Sequence, residues 1–409
     1  LWFFSATEDA TSYAAPQNSA REGDRLRRSA IEITDGLPAD ESQGGDKELH
    51  VDALITRAKQ LLGDADYRIL FSAGLDWCLS DIRADLAEFR VLHDNFFSER
   101  SLMTDGYVQR AIDTLQANGH LYQEGGATWF KATAFGDDKD RVVVRENGAT
   151  TYFASDLGYL LSKFERGFDR ALYILGADHH GYIARLKAAA QGLGLDPTKI
   201  EIQLVQFAIL FRGAERVQMS TRAGSFVTLR ELRQEVSTDA ARFFYIMRSN
   251  DQHLDFDLEL AKSRSNDNPV FYVQYAHARI CSVLAEYAER PGVSTAASAL
   301  AQADLSLLGA PTEQALMLKL AAYPDMLAGG AADFAPHDVA FYLRDVAAAL
   351  HSWYAAERFL VDDPALAAAR MALLAAIRQV LRNALGMMGV SAPDAMARAD
   401  AADTPAEAA

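Results

Sequence analysis

Between residues 150 and 210 short apolar runs alternate with helical periods, and this rhythm constrains the fold more than any other feature. Residues 171–175 are an apolar run ended by Gly176, residues 182–191 carry a helical period closed by Gly192 and Gly194, and residues 203–210 are apolar again. Strand–helix–strand repetition predicts parallel strands joined by crossover helices. Ahead of it, helices are expected at 51–64, 79–90, 106–117 and 156–166. Short strands are expected at 66–72, 128–132, 141–145 and 150–153, with charged or Asn-Gly turns at 136–140 and 146–148. Residues 228–247 read as one helix, opened by Thr228 with Glu231 three positions on, the spacing of a capping box.

From Pro269 the strand signal fades. Helical periods at 270–288, 312–322, 338–359 and 365–388 are punctuated by Pro291, Pro311, Pro324 and Pro336. An α/β domain should therefore give way to a helical one near 260–270. Residues 1–50 are polar and aperiodic, and the Ala-, Asp- and Pro-rich end should fray.

Composition bounds the function classes. The chain has 409 residues, half of them apolar, enough for two or three domains with sizeable cores. Cys78 and Cys281 are far apart, which suits thiols in a reducing cytosol better than a disulfide framework. No uncharged apolar run approaches the length of a membrane span, and Leu1-Trp2-Phe3-Phe4 is too short for a signal peptide. A net charge of −16 argues against nucleic-acid binding by the body as a whole, but a large enzyme can carry one basic surface on an acidic body.

Four stretches could carry chemistry. Gly176-Ala177-Asp178-His179-His180-Gly181 follows an apolar strand, where open α/β sheets gather ligands; a phosphate-bearing substrate, a metal and a plain structural role all fit. Tyr152 and Asp156 are four apart and share a face if their helix starts early. Asp156 could cap that helix or pair with a guanidinium. Arginines Arg212, Arg216 and Arg222 flank Gln218-Met219-Ser220-Thr221, which suits a loop gripping phosphate oxygens but is not a P-loop. Tyr272, Tyr275, Ala276 and Arg279 lie at helical spacing, as either aromatic core or a nucleic-acid-facing surface.

Taken in order, TYFASDLGY at 151–159, KFERGFDRALYILGADHHGYIARLKAAAQGLG at 163–194, VQMSTRAGSFVTLREL at 217–232, DAARFFYIMRS at 239–249 and NPVFYVQYAHARI at 268–280 resemble arginyl-tRNA synthetase, a class I aminoacyl-tRNA synthetase. The resemblance covers roughly 60–396. It implies a Rossmann-like α/β catalytic domain over 1–265, incomplete at its N-terminus, an all-α anticodon-binding domain over 266–396 and a flexible tail over 397–409. It implies ATP-dependent formation of arginyl-adenylate and transfer to tRNA-Arg. Tyr152 and Asp156 would bind arginine; Gly176, Asp178, His179 and His180 would line the adenylate pocket. Gln218, Met219, Ser220, Thr221 and Arg222 would form the catalytic signature loop, and Tyr275 and Arg279 would meet tRNA. The expected partners are tRNA-Arg, L-arginine and ATP, with Mg2+ only as the nucleotide complex and no dedicated protein metal site. No DNA or membrane partner is expected, and the expected form is a cytoplasmic monomer.

Two departures stand out. Gln218 and Thr221 replace the two lysines usual in the signature loop, and a His-x-Gly-His signature occurs nowhere in the chain. The second leads us to expect impaired activity of this chain alone. The alternatives are a non-catalytic tRNA-binding protein of the same fold or a truncated gene product.

Overall fold

The computed structural model describes residues 36–217 and 227–397. The chain divides into two compact units between Ala87 and Glu88. The first unit is dominated by α1 (Lys47–Glu88), which runs up to the division and is interrupted only at Gly63, where φ 68° and ψ 171° break the helix. The expected strand at 66–72 is absent. Ile69, Leu70 and Phe71 are helical and exposed, because a short apolar run with no Gly or Pro beside it reads equally well as helix.

The second unit opens with α2 (Glu99–Thr104) and α3 (Tyr107–Ala117), followed by an antiparallel sheet of β1 (Leu121–Glu124), β2 (Ala127–Phe130) and β3 (Arg141–Val144). Strand β1 is a strand that the sequence pattern did not reveal; Gly125-Gly126 turns it back on β2 with both glycines at positive φ. Helix α4 (Tyr152–Glu165), β4 (Ala171–Gly176), α5 (Tyr182–Gly192) and β5 (Ile200–Val205) then supply the expected parallel pair, with Ala171 opposite Ile200 and Gly176 opposite Val205. The apolar run at 203–210 is two strands. It breaks after Val205, where Asn250 donates to the Leu204 carbonyl, and resumes as β6 (Ala208–Arg212). Strand β6 pairs antiparallel with β7 (Glu215–Arg216) and parallel with β8 (Leu254–Asp257).

The helix expected at 228–247 is also two, α6 (Leu229–Val236) and α7 (Thr238–Ile246), parted at Ser237 with φ 79°. The capping box forms as expected: Glu231 N donates to Thr228 Oγ1 at 3.1 Å and Thr228 N to Glu231 at 2.7 Å. After α8 (Leu258–Lys262) the rest is helical: α9 (Pro269–Ala288), α10 (Ala297–Leu300), α11 (Pro311–Ala321), α12 (Tyr323–Ala332), α13 (His337–Ala356) and α14 (Pro364–Met387). By length and composition α14 could cross a membrane, but one face of it, including Met371, Leu374, Ile377 and Leu381, is buried in the helical core.

Two cores organise this unit. One gathers α2, α3, the β1–β3 sheet, α4 and α5 around Phe130, which stacks on Phe135 and Phe153 at ring separations of 5.7 and 6.0 Å. The other runs from Leu210 of β6 through Phe243 and Phe256 to Leu381 of α14. In the first core α4 lies so close to α3 that a Cβ on Gly158 would come within 2.9 Å of the Val108 backbone nitrogen. This approach, possible only with glycine, sets where the rest of α4 points.

Candidate functional site

Thr151 joins the β1–β3 sheet to α4. Its hydroxyl donates to the Val142 carbonyl at 2.7 Å, its backbone nitrogen donates to Val143, and its side chain caps the helix by accepting from Ala154 N at 3.3 Å. That cap starts the helix at Tyr152, so the strand expected at 150–153 is reduced to a single bridge at Thr150. The early start places Tyr152 and Asp156 one turn apart on one face. Tyr152 is 81% exposed, while Asp156 is half-buried.

Asp156 does not cap its own helix. It borders a cavity of about 270 Å³ together with Phe97, Glu99, Leu102, Ser155 and Tyr159. Phe97 stacks on Tyr159 with centroids 4.7 Å apart, so the cavity offers flat aromatic surface beside two carboxylates. Burial pushes Asp156 up to about 6; Arg185 and Lys163 pull it back down, while Glu99 adds to the rise. An arriving cation would favour the ionised form, and a planar guanidinium could both pair with the carboxylate and lie on the rings.

Asp156 also interacts electrostatically with the parallel strands and their crossover helix. Its charge is felt by Tyr173 of β4 and by Arg185 of α5, the helix that starts just after His180. Asp178 and His179 lie in the short 3-10 turn Ala177–His179 directly after β4, and His180 follows; all three are exposed. His179 Nε2 is 3.8 Å from Asp178 Oδ2, and its ring meets Tyr182 edge-on at 5.3 Å. Gly176 fits beneath them: a Cβ there would stand 2.5 Å from Asp178 Oδ1 and displace that carboxylate. Gly176, Asp178 and His179 thus sit at the C-terminal end of β4, where open α/β sheets hold ligands, while Tyr152 does not line the cavity beside Asp156.

Gln218, Met219, Ser220, Thr221 and Arg222 lie outside the described residues. Of the arginines beside them, Arg212 pairs with Glu235 at 2.9 Å. Tyr275 and Arg279, both half-buried, are built into the helical core's edge. The Arg279 guanidinium lies over the rings of Tyr275 and Tyr354, at 4.9 and 4.2 Å, and donates to His351 Nδ1 at 3.2 Å. Burial, reinforced by Arg279, lowers His351 to about 4, so it accepts as a neutral ring.

Three groups at the site escaped the sequence pattern. Arg185 and Tyr173 act electrostatically on Asp156 only because the crossover brings their elements near it, and Lys163 reads locally as one more helical cation. A fourth group, His277, Cys281 and Asp394, gathers potential metal donors in the helical part. Those donors are engaged: His277 Nδ1 is 2.9 Å from the Pro393 carbonyl, and Asp394 pairs with Arg382 at 3.1 Å. Asp394 is too distant in sequence for spacing to have revealed this group.

Known proteins show the same two parts in the same order. Residues 77–263 match the class I tRNA synthetase (R) catalytic domain and residues 273–396 the DALR anticodon binding domain. The chain is 57% identical over 374 residues to an arginine–tRNA ligase of Thioalkalivibrio sulfidiphilus, covering 91% of this chain and 64% of that protein. It is 55% identical over 370 residues to the arginine–tRNA ligase of an Azoarcus species, covering 90% of this chain and 62% of that protein. The chain thus spans somewhat under two thirds of the length of these relatives. Among solved structures, an arginyl-tRNA synthetase from Campylobacter jejuni superposes with a TM-score of 0.72 at 27% identity, covering 93% of this chain and 77% of the other. The Thermus thermophilus arginyl-tRNA synthetase, at 20% identity and a TM-score of 0.67 over 94% of this chain and 72% of its own, shares the fold.

Proposed function

We propose, from the premise that this chain belongs to the arginyl-tRNA synthetase family, that it supplies the arginine pocket and the helical tRNA-binding part of an arginine–tRNA ligase. The reaction is ATP-dependent activation of L-arginine to arginyl-adenylate, with release of pyrophosphate, and transfer of arginine to tRNA-Arg. The observation that carries this reading is the half-buried carboxylate of Asp156, beside a cavity that also holds Glu99 and the Phe97–Tyr159 stack.

In this reading Asp156 takes the guanidinium, and Tyr152, exposed one turn earlier, closes over the amino acid. The turn Gly176 to His180 lies where the adenylate would form. Its imidazoles and the start of α5 suit the anionic oxygens of ATP, which family members use as a substrate with Mg2+. The half-buried carboxylate of Asp156 and the exposed one of Glu99 suit a cationic amino acid but not a nucleotide phosphate, so in this reading the arginine and ATP halves are separated by charge. Gln218 to Arg222 are assigned to the ATP phosphates by resemblance alone. Activation needs aligned substrates and stabilised charge rather than a protein nucleophile. tRNA-Arg would meet the helical part, where the Tyr275–Arg279–Tyr354 stack reaches the surface.

Calorimetry with L-arginine, and arginine-dependent exchange between ATP and pyrophosphate, test this reading. L-arginine binding that is lost in Asp156→Asn and retained in Glu201→Gln, a surface change elsewhere, is the expected result. Nucleotide turnover indifferent to arginine, or arginine binding unaffected by Asp156→Asn, refutes it.

A further inference from the structure

Lys163 is on the same helix as Asp156, seven residues on and therefore on the same face two turns away. Its ammonium is buried and has no hydrogen-bond acceptor. It rests instead on aromatic rings, above Tyr159 of its own helix and 4.7 Å from the Tyr173 centroid on β4. A buried ammonium with no acceptor is costly unless an anion lies near. The charges facing the pair are few. Arg185 from α5 and Glu99 from α2 bear on Asp156; Arg166 and Asp156 bear on Lys163. Asp156 is thus the only carboxylate acting on Lys163 among these neighbours.

We propose that Lys163 is the resident counter-cation of Asp156, and that the guanidinium of the incoming arginine takes over this role and drives the Lys163 proton into solvent. The proposal rests on the arginine pocket assigned above and adds to it a residue that sets the charge of the empty site. Without ligand, Asp156 and the Lys163 ammonium partly neutralise each other. When a guanidinium pairs with Asp156, Lys163 loses its anion and keeps only cationic neighbours and rings. The neutral amine is then the favoured form: the N–H bond to the fourth substituent breaks, its electron pair stays on Nζ, and the proton passes to buffer. The local balance makes this feasible near neutrality, since burial and the nearby Arg166 bring Lys163 down to about 7.

This arrangement makes Lys163 a positioning residue that tunes affinity with pH. Below its pKa the ammonium must be discharged for arginine to bind well, and each unit of pH adds up to a tenfold cost. Above it the cost vanishes.

Isothermal titration of L-arginine into the full chain, in buffers of different ionisation heat, reads the protons released. Near neutral pH the wild type should release a substantial fraction of a proton. Lys163→Met should reduce this to the small part that Asp156 itself supplies. It should also bind arginine severalfold more tightly than wild type at about pH 6, the two converging above about pH 8. Lys163→Arg, a cation that cannot be discharged, should also lose the release and bind more weakly at every pH. Absence of proton release in the wild type overturns the proposal without recourse to any variant. So does unchanged release in Lys163→Met, or a loss of affinity in that variant that is the same at every pH, the mark of lost packing. Loss of binding in Asp156→Asn together with unchanged proton release in Lys163→Met would refute the Lys163 proposal and leave the arginine pocket standing. Retention of binding in Asp156→Asn would refute both.

Discussion

Asp156→Asn should make the protein more stable at alkaline pH while removing its affinity for arginine. Burial raises Asp156 from 3.8 to about 6, so the folded state holds its proton more tightly than the unfolded chain does. The sign follows directly. Below the unfolded value both states are protonated and there is no penalty. As pH rises from about 4 to about 6 the unfolded chain ionises first and stability falls; above the folded value the whole penalty is felt. Two pH units at about 1.4 kcal/mol each give about 3 kcal/mol. Partial exposure of the carboxylate reduces this to about 2 kcal/mol by solvent screening. The asparagine is nearly isosteric but cannot ionise, so the variant should gain about 2 kcal/mol relative to wild type between about pH 4 and about pH 8. Taking the difference between the two pH values removes the cost of burying the amide itself. Lys163 does not disturb the comparison: at the lower pH Asp156 is protonated in the wild type, and at the higher pH the amine is neutral in both proteins. Urea unfolding followed by circular dichroism, with the transition of the α2–α5 core separated from that of the helical core, measures it. A stability difference independent of pH would refute the reasoning, because it would mean that Asp156 is no harder to ionise in the fold than in the unfolded chain. The expected pattern, a site held at a cost to stability, is common for functional carboxylates.

Arg370 donates to Glu313 at 2.8 Å and to Glu357 at 2.9 Å, with Glu313 only 1% exposed. Arg370→Met should therefore cost about 3–5 kcal/mol in the helical core, while Glu313→Leu/Arg370→Met recovers most of it in the same urea assay. Gly158→Ala should lose about 1–3 kcal/mol, read as a lowered Tm, since the added methyl meets the Val108 backbone. Thr228→Ala removes one half of the capping box and should cost about 1 kcal/mol, detectable as faster amide exchange in the first turn of α6. Arg141 holds the buried Asp137 below the usual carboxylate range by paired hydrogen bonds at 2.7 Å, against the opposing effect of burial. The stability this supplies is present above the unfolded pKa and is lost as pH falls through the lowered folded value, so Arg141→Met should flatten the acid limb of the Tm-against-pH curve.

Local rules settled much of this protein. The apolar run ending at Gly176, the crossover period after Tyr182, the Thr228–Glu231 box and the proline-punctuated helices from Pro269 are all visible in sequence, because each depends on neighbours within a few residues. Tyr152 and Asp156 were readable as a same-face pair for the same reason. The errors came where distant contacts choose between local alternatives. Residues 66–72 suit strand or helix equally, and α1 continues through them. Thr151 could have ended a strand, but its hydroxyl reaches Val142 and its side chain caps α4. The break after Val205 depends on Asn250, and the turn at Ser237 on a positive φ that no periodicity encodes. What tertiary structure alone decided is the electrostatic character of the site. Asp156, Lys163, Tyr173 and Arg185 come from one helix, a strand and the crossover after it. Only their convergence in a poorly solvated space gives a carboxylate and an ammonium pKa values near neutrality, since desolvation depends on what surrounds a charge in three dimensions rather than on what adjoins it along the chain.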